Sequence, residues 1–391
     1  MTKNSDIYLS SKPRYEILDG LRGVAAIIVV AFHLFETYSK GVPFQILNHG
    51  YLAVDFFFLL SGFVIGYAYD DRWNRMSTWA FLKRRFIRLH PMLVFGTLVG
   101  GIFFYLGGGH PDFSIINETP WWAVVLCLCL CVLMIPVPKG LEIRGWGEFN
   151  PLNGATWSLL WEYLANILYA LVIRRLSRLA LCGCVALFGV ATILLCFNID
   201  LFNVLSVRDY AAYTVIGGWS LTGDQLQIGF TRLLYPFFCG LLLSRIGKRI
   251  TMKNGFWWCS LFITMLLVMP RVGGSNPDNY WMNGLYEAVC ILVLFPLIVV
   301  MGAGSSVTGK RSFAVCKFLG DISYPLYVTH YPLVYVQMSW MATHQDAPLG
   351  THVFFAVCMF CLAIFIAYAS LKVYDEPVRE WLKNKWFKRK E

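Results

Sequence analysis

The chain has 391 residues, of which 57% are hydrophobic and only 14% are charged, and its mean hydropathy is +0.57. A charged fraction so far below the ~25% of soluble domains excludes an ordinary soluble protein and predicts one embedded in the lipid bilayer. The net charge of +10 does not indicate a nucleic-acid partner, because the basic residues fall in short connections between apolar runs, as the positive-inside rule expects.

Apolar runs of spanning length recur along the whole chain, by the criterion of ~20 residues per transmembrane helix. In order, they lie near 21–39, 50–69, 86–106, 121–137, 155–173, 179–197, 226–244, 256–272, 281–301, 322–341 and 351–373. We therefore predict an all-α polytopic membrane protein, a bundle of about ten transmembrane helices with one further re-entrant or interfacial helix. The residues before the first run are polar and that run is long enough to span, so no cleavable signal peptide is predicted.

Basic residues between the runs set the predicted topology, because they favour the cytoplasmic side. The clusters are Lys3/Lys12/Arg14, Arg72/Arg75/Lys83/Arg84/Arg85, Arg174/Arg175/Arg178, Arg245/Lys248/Arg249/Lys253, Lys310/Arg311/Lys317 and the tail from Lys372 to Lys390. About ten crossings with both termini cytoplasmic place every cluster inside, provided that 121–137 does not cross. We interpret 121–137 as re-entrant or lying in the outer interface; an ordinary eleventh span that breaks the charge rule is the alternative.

The same pattern divides the chain into an N-terminal cytoplasmic tail, 1–14, a membrane domain, 15–375, and a basic cytoplasmic tail, 376–391. No internal repeat or separate soluble domain stands out. The twelve cysteines lie mostly inside apolar runs, where they are typical of small packing residues. We therefore predict no disulfide framework, no metal site and no permanently bound cofactor.

The first run carries two ionisable side chains on one helical face. Arg22 and His33 are eleven residues apart, a spacing that returns to nearly the same direction about three turns and ~16 Å further along a helix. This predicts Arg22 at the membrane edge and His33 near mid-depth, where an ionisable group indicates function. Glu36 follows at i+3 and is placed to fix the imidazole tautomer of a general base, although it also suits the outer end of a span. A packing histidine is the structural alternative.

The second run contains a carboxylate in apolar surroundings. Asp55 needs a partner there, either a cation such as Arg22 or a hydrogen-bond donor, and the sequence does not decide which. Ser61-Gly62, further along the run, supplies the small residues that let helices approach closely.

The third run begins with a basic stretch, in which Lys83 and Arg84 are ordinary membrane anchors. Arg85 and Arg88 are different, because they stand at i,i+3 on one face as the chain re-enters the bilayer. Arg88 lies a turn deeper than anchoring requires. The pair predicts a phosphate-bearing ligand at a cytoplasmic mouth.

Two later stretches carry further candidates. Trp157 suits a membrane interface, whereas Glu162 lies inside its run without a visible partner and would act as acid or base, orient a histidine or bind sugar hydroxyls. Ser323 is predicted to cap a helix start, and Pro332 must kink or break the last part of its run. His330 directly precedes this break, where freed backbone groups can line a cavity; a packing role is about equally expected.

The chain has no Walker loop, dinucleotide-binding glycine motif, HExxH or G-x-S-x-G, which argues against an ATP-driven pump, a metalloprotease and a lipase-like hydrolase. Its five stretches together resemble the acyltransferase type 3 family of bacterial integral-membrane acyltransferases, over about residues 15–375. The resemblance rests on Leu18-Asp19-Gly20-Leu21-Arg22-Gly23 with His33, on Val54-Asp55 to Ser61-Gly62-Phe63, on Arg84-Arg85-Phe86-Ile87-Arg88-Leu89-His90-Pro91, on Trp157-Ser158-Leu159-Leu160-Trp161-Glu162, and on Ile322-Ser323-Tyr324-Pro325-Leu326-Tyr327 with His330.

The resemblance implies a membrane O-acetyltransferase-like enzyme of the bacterial cytoplasmic (inner) membrane that moves an acyl group from cytoplasmic acyl-CoA to a hydroxyl of a carbohydrate acceptor outside. It implies functional roles for Arg22, His33, Arg85 and Arg88. Two features are expected to depart from many relatives: Tyr163 stands where they have a second acidic residue, and we expect no periplasmic esterase-like domain.

We expect CoA phosphates at Arg85 and Arg88, helped by Arg22, and His33 as the base that activates the acceptor hydroxyl, directly or through an acyl-histidine. The acceptor is expected near Trp157–Glu162 and the loop 198–225. We expect the acyl group to be acetyl by default, with succinyl as the alternative. The rival functions are a proton-coupled transporter or flippase of a glycan precursor and a non-catalytic scaffold.

Overall fold

A computed structural model describes residues 12–205 and 211–387, and all regular structure in these ranges is helical. Most of the predicted N-terminal tail, the end of the basic tail and part of the loop 198–225 lie outside the described residues. The α-helices are α1 (Glu16–Glu36), α2 (Ala53–Tyr69), α3 (Thr78–Phe103), α4 (Ile115–Glu118), α5 (Trp121–Val132), α6 (Trp157–Leu171), α7 (Arg178–Cys196), α8 (Gly223–Ile246), α9 (Gly255–Val268), α10 (Tyr280–Val289), α11 (Phe295–Gly304), α12 (Lys310–Thr329), α13 (Tyr331–Thr343), α14 (Leu349–Ser370) and α15 (Glu376–Phe387). The predicted all-α class is confirmed.

Helices long and apolar enough to cross a membrane are fewer than the ten crossings predicted. In the described ranges there are seven such stretches, Glu16–Glu36, Gly50–Tyr69, Thr78–Gly107, Arg178–Cys196, Gly223–Ile246, Pro277–Gly304 and Leu349–Phe387. The difference arises in part because α6 has 15 residues and α9 has 14. At 1.5 Å per residue these helices are roughly 21–23 Å long, less than a hydrocarbon core of ~30 Å.

The segment predicted to be re-entrant or interfacial contains a short helix. α5 has 12 residues and follows α4 after a bend of 107°. A 12-residue helix is only ~18 Å long, so α5 by itself does not span the bilayer. Its length favours the re-entrant or interfacial interpretation over an ordinary straight span.

Glycines bring the central helices into close contact, as the sequence predicts for Ser61-Gly62. A methyl group at Gly62 on α2 would lie 2.0 Å from the carbonyl oxygen of Phe237 on α8, and one at Gly240 on α8 would lie 2.0 Å from the carbonyl oxygen of Leu59. The same close approach joins α1 to α12, because a methyl group at Gly23 would lie 2.1 Å from the carbonyl oxygen of Leu319. The Gly23 contact holds α1, which carries Arg22 and His33, directly against α12.

Candidate active site

His33 and Glu36 form a hydrogen-bonded pair at the C-terminal end of α1. The His33 Nδ1–H donates to Glu36 Oε2 at 2.8 Å, and Gln45 Nε2 donates to the other carboxylate oxygen at 3.2 Å. A carboxylate can only accept, so the ring proton is on Nδ1 and the lone pair of a neutral imidazole is on Nε2. The His33 side chain keeps 19% of its surface exposed. The expected pairing with Glu36 is therefore present, with Nε2 free to accept a proton.

The position of His33 along α1 differs from the sequence prediction. His33 lies in the last turn of the helix, not near its middle. The difference arises because α1 starts at Glu16 and ends at Glu36, several residues before the predicted run at 21–39. The imidazole is thus close to one end of the span, whereas Arg22 lies about three turns away toward the other end.

A second histidine faces the first. α12 ends at Thr329 and α13 begins at Tyr331, so the helix breaks at His330, as Pro332 predicts. The His330 ring stacks on His33 with 5.6 Å between ring centroids, and its Nδ1–H donates to the carbonyl oxygen of Tyr327 at 2.8 Å. The Nε2 atom of His330 is buried and has no hydrogen-bond partner. An unpaired ring nitrogen beside His33 favours a site role over a packing role.

Arginines and carboxylates meet near the other end of α1. Arg85 donates from Nη2 to Glu162 Oε1 at 2.8 Å, and the Ser61 hydroxyl donates to the same oxygen at 3.1 Å. Arg22 pairs with Asp19 at 2.9 Å. Each of these arginines therefore already holds one carboxylate.

Arg88 completes what we call the arginine group, Arg22, Arg85 and Arg88. Arg22 and Arg85 both interact electrostatically with Arg88 and with Glu162. Arg88 is exposed, and within the described part of the chain it has neither a hydrogen-bond nor an ion-pair partner. Three guanidinium groups with one of them free form a suitable site for a phosphate-bearing ligand.

Glu162 lies in a different place from the one predicted. We expected it on the acceptor side, with Trp157 as an interfacial neighbour. The structure instead places its carboxylate within the arginine group, because α6 and α3 pack side by side and bring Glu162 to Arg85. This pairing joins residues 77 positions apart in the chain, so no local sequence pattern predicts it.

Asp55 has a buried cation as its partner, but the cation is Arg232 and not Arg22. Arg232 on α8 donates from Nη2 at 2.7 Å and from Nε at 3.3 Å, and both side chains are almost fully buried. The guanidinium also lies 5.2 Å from the ring centroid of Trp157. Sequence reasoning missed Arg232, which stands inside an apolar run and was not recognised as a partner of Asp55.

The stretch around Ser323 joins helices and does not begin one. α12 starts at Lys310, so the prediction that Ser323 caps a helix start is wrong; its hydroxyl donates to the carbonyl oxygen of Gly320 at 2.8 Å. The predicted start was too late because residues 310–321 carry four charged side chains and did not resemble a span. Tyr324 donates to the carbonyl oxygen of Leu89 at 2.5 Å and so ties α12 to α3.

A buried polar cluster lies next to the histidines and was not predicted. Tyr335 donates to Glu148 Oε2 at 2.6 Å, and the Arg144 guanidinium lies 3.5 Å from the Tyr335 ring centroid. Burial raises the pKa of Glu148 to about 7, although Arg144 opposes the shift. Tyr331, one turn from Tyr335, packs edge-on against His33 at 4.8 Å. The cluster therefore fixes the connection before α6 against the histidine site.

Residues 12–205 and 211–387 contain no group of three or more His, Cys, Asp or Glu side chains arranged as metal ligands. The cysteines of these residues form no disulfide bonds with one another.

The chain matches a sequence profile of the acyltransferase domain over residues 15–371. It is similar to the acyltransferase MdmB of Streptomyces mycarofaciens, with 26% identity over 82% of this chain and 79% of that protein. It is also similar to the O-acetyltransferase OatA of Staphylococcus aureus, with 24% identity, and to the putative peptidoglycan O-acetyltransferase YrhL of Bacillus subtilis, with 22% identity. These alignments cover 94% and 93% of this chain but only 58% and 54% of the two relatives.

No solved structure matches the chain. The profile match covers most of the chain, including all five stretches named from the sequence. Several apolar helices of spanning length accompany it. The protein therefore belongs to the acyltransferase type 3 family and is a multi-pass membrane enzyme of the O-acetyltransferase-like kind.

Proposed function

We propose that this enzyme transfers an acyl group, acetyl by default, from cytoplasmic acyl-CoA to a hydroxyl of a cell-envelope or extracellular carbohydrate. It works in the bacterial cytoplasmic membrane as a multi-pass protein with both termini in the cytoplasm. The observation that carries the proposal is the separation of two sites along α1. The arginine group lies toward the N-terminal end of this helix, and the stacked rings of His33 and His330 lie at its C-terminal end. The names of OatA and YrhL support acetyl as the acyl group.

The arginine group binds the pyrophosphate of CoA. Arg88 is available without breaking any ion pair, and Arg85 is held in place by Glu162. Charge-assisted hydrogen bonds from guanidinium groups suit phosphate oxygens in geometry and in strength. The pantetheine arm then extends along α1 and brings the thioester to His33, about 16 Å from Arg22 along the helix.

His33 acts as the general base. Its Nε2 atom takes the proton of the acceptor hydroxyl while the hydroxyl oxygen attacks the thioester carbonyl carbon. The C–S bond then breaks, the acyl group stays on the acceptor oxygen, and the CoA thiolate leaves and receives a proton. Glu36 accepts from Nδ1–H, which keeps the lone pair on Nε2 and stabilises the imidazolium that forms.

His330 positions the acceptor. Its Nδ1–H donates to the Tyr327 carbonyl oxygen, so the Nε2 of a neutral ring presents a lone pair toward the site. This nitrogen is buried and unpartnered, and a carbohydrate hydroxyl would satisfy it. The stacked ring of His33 lies directly beside it.

The test is acyl transfer by purified protein in proteoliposomes, with labelled acetyl-CoA on one side and extracted envelope glycans as acceptors, followed by mass spectrometry of the products. His33→Ala should lower transfer by about 10²–10⁴-fold, the usual contribution of a general base. His344→Ala is the matched control, because His344 is exposed and lies at the opposite end of α13 from His330. Full transfer by correctly inserted His33→Ala would contradict the proposed mechanism, and glycan flux without acetyl-CoA would favour a transporter.

A further inference from the structure

The C-terminal helix continues the last membrane span. α14, a π-helical turn at Leu371–Asp375 and α15 form one stretch, Leu349–Phe387, of 39 residues. Such a helix is roughly 58 Å long, nearly twice a bilayer core of ~30 Å, so α15 extends beyond the membrane. The helix lies against α3: the rings of Trp386 and Phe86 are 5.8 Å apart, and the Arg84 guanidinium lies 4.3 Å from the Phe387 ring centroid. α15 is thus fixed beside the helix that carries Arg85 and Arg88.

α15 brings additional cations to this end of the bundle. Arg379 and Lys383 stand at i,i+4 and share one face of the helix. Lys383 interacts electrostatically with Arg379 and with Arg14, which precedes α1. Asp375, at the start of this face, interacts electrostatically with Arg88. We call Arg14, Arg379 and Lys383 the helical cation group; it borders the arginine group.

The helical cation group has unused binding capacity. Asp375 is buried and pairs with Arg379 Nη1 at 2.8 Å, whereas the Nε of Arg379, a further N–H donor, has no hydrogen-bond partner. Arg14 and Lys383 are exposed, and no carboxylate of the described residues pairs with either one at ion-pair distance. Arg379 and Lys383, four residues apart on one face of α15, repel each other, and a bound anion would relieve that repulsion.

The arginine group alone does not match the charge of CoA. Arg22 and Arg85 each form an ion pair with a carboxylate. Among the described residues of the arginine group, Arg88 therefore remains to neutralise the charge of a ligand. CoA carries a pyrophosphate and, separately, a 3′-phosphate monoester on its ribose. A phosphate monoester bears nearly two negative charges at neutral pH. A second cationic site is therefore needed for the second phosphate.

We propose that the helical cation group binds the 3′-phosphate of the CoA donor, while the arginine group binds the pyrophosphate. This inference rests on the proposed function, because it requires CoA as the donor. It makes the C-terminal helix part of the donor site and makes the 3′-phosphate a determinant of donor affinity. Lys383 and Arg14 contact the phosphate, and Arg379 does so while remaining paired with Asp375.

The test compares binding of CoA and 3′-dephospho-CoA to the full chain in nanodiscs of phosphatidylcholine, a lipid without net charge that does not compete as an anion. The informative variant is Arg14→Gln with Lys383→Gln. Arg379 is left unchanged, because its loss would leave Asp375 buried without a cation. The matched control is Lys253→Gln with Lys385→Gln, which removes the same charge from two exposed lysines of the same protein.

We expect the unaltered protein to bind CoA about tenfold more tightly than 3′-dephospho-CoA, as charge-assisted contacts to one phosphate group would give. The Arg14/Lys383 variant should lose this preference and keep its affinity for 3′-dephospho-CoA, whereas the control variant should keep the preference. A variant that retains the preference, or that weakens both ligands equally, overturns the inference and leaves the proposed function standing. If the unaltered protein binds neither ligand, the proposed donor itself is wrong.

Discussion

The ion pair between Asp55 and Arg232 provides a direct test of whether Asp55 serves the fold or the reaction. Both side chains are almost completely buried, with relative exposures of 1% and 2%, and the shortest contact is 2.7 Å. Asp55→Ala would leave the Arg232 guanidinium buried without its carboxylate. Breaking a buried pair by removing one partner costs about 3–5 kcal/mol, so we expect a loss of stability of this size.

The same chain offers a control with matched geometry and different burial. Lys12 and Asp71 form an ion pair at 2.8 Å, but their side chains are 24% and 64% exposed. Removal of an exposed pair costs ~0–1 kcal/mol, so Asp71→Ala should change stability little. Replacement of both buried partners, Asp55→Leu with Arg232→Met, should recover much of the stability that Asp55→Ala loses, because no buried charge remains.

The assay is unfolding of the purified protein in detergent, followed by intrinsic tryptophan fluorescence, with acyl transfer measured on the folded fraction of each variant. Asp55→Ala should be unstable but retain most of its transfer rate per folded molecule. If Asp55→Ala is as stable as the unaltered protein and has lost acyl transfer, Asp55 takes part in the reaction and the structural interpretation is wrong.

Three further expectations follow from packing, burial and charge. Gly62→Ala should cost about 1–3 kcal/mol of stability in the same unfolding assay, because its methyl group meets a backbone carbonyl on α8, whereas Gly350→Ala, with no atom within 4 Å, should be neutral. Burial raises the pKa of Glu148 from 4.5 to about 7. Between these two pH values the folded state keeps a proton that the unfolded state has lost, so the free energy of unfolding should fall as the pH rises from 4.5 to about 7. Glu148→Gln should remove this fall, which amounts to ~3 kcal/mol, in unfolding measured across that pH range; equal pH profiles would refute the shift. Arg88→Ala should raise the KM for acyl-CoA about tenfold without loss of stability. Arg85→Ala should raise this KM and also lower stability, because Glu162 loses its cation. An unchanged KM in both variants would exclude the arginine group from donor binding.

Features that depend on neighbouring residues in the chain were predictable from the sequence. Pro332 predicts the break at His330, the i,i+3 spacing predicts the contact between His33 and Glu36, and Ser61-Gly62 predicts close helix packing. Each of these follows from helical geometry within one or two turns. The sequence could therefore identify most side chains of the candidate site, although not their arrangement.

Features that depend on which helices become neighbours were not predictable in the same way. The partner of Asp55 is 177 residues away and that of Glu162 is 77 residues away, so hydropathy and spacing give no information about either pairing. The number of long apolar helices was overestimated for a related reason. Apolar composition shows that a segment can lie in the bilayer, but the length of its helix depends on where tertiary contacts allow the helix to end.

The structure also changes what α1 contributes to the proposed reaction. In the proposed topology, His33 in the last turn of α1 lies near the side from which an external acceptor would arrive, and Arg22 lies about 16 Å away along the helix toward the donor side. A carbohydrate is bulky and polar, and burying its hydroxyl groups at mid-depth without partners would be costly. The pantetheine arm of CoA is thin and flexible, so it is the better substrate part to cross the apolar interior. An enzyme that places its base near the outer surface lets the donor arm cross the membrane while the carbohydrate remains largely in water.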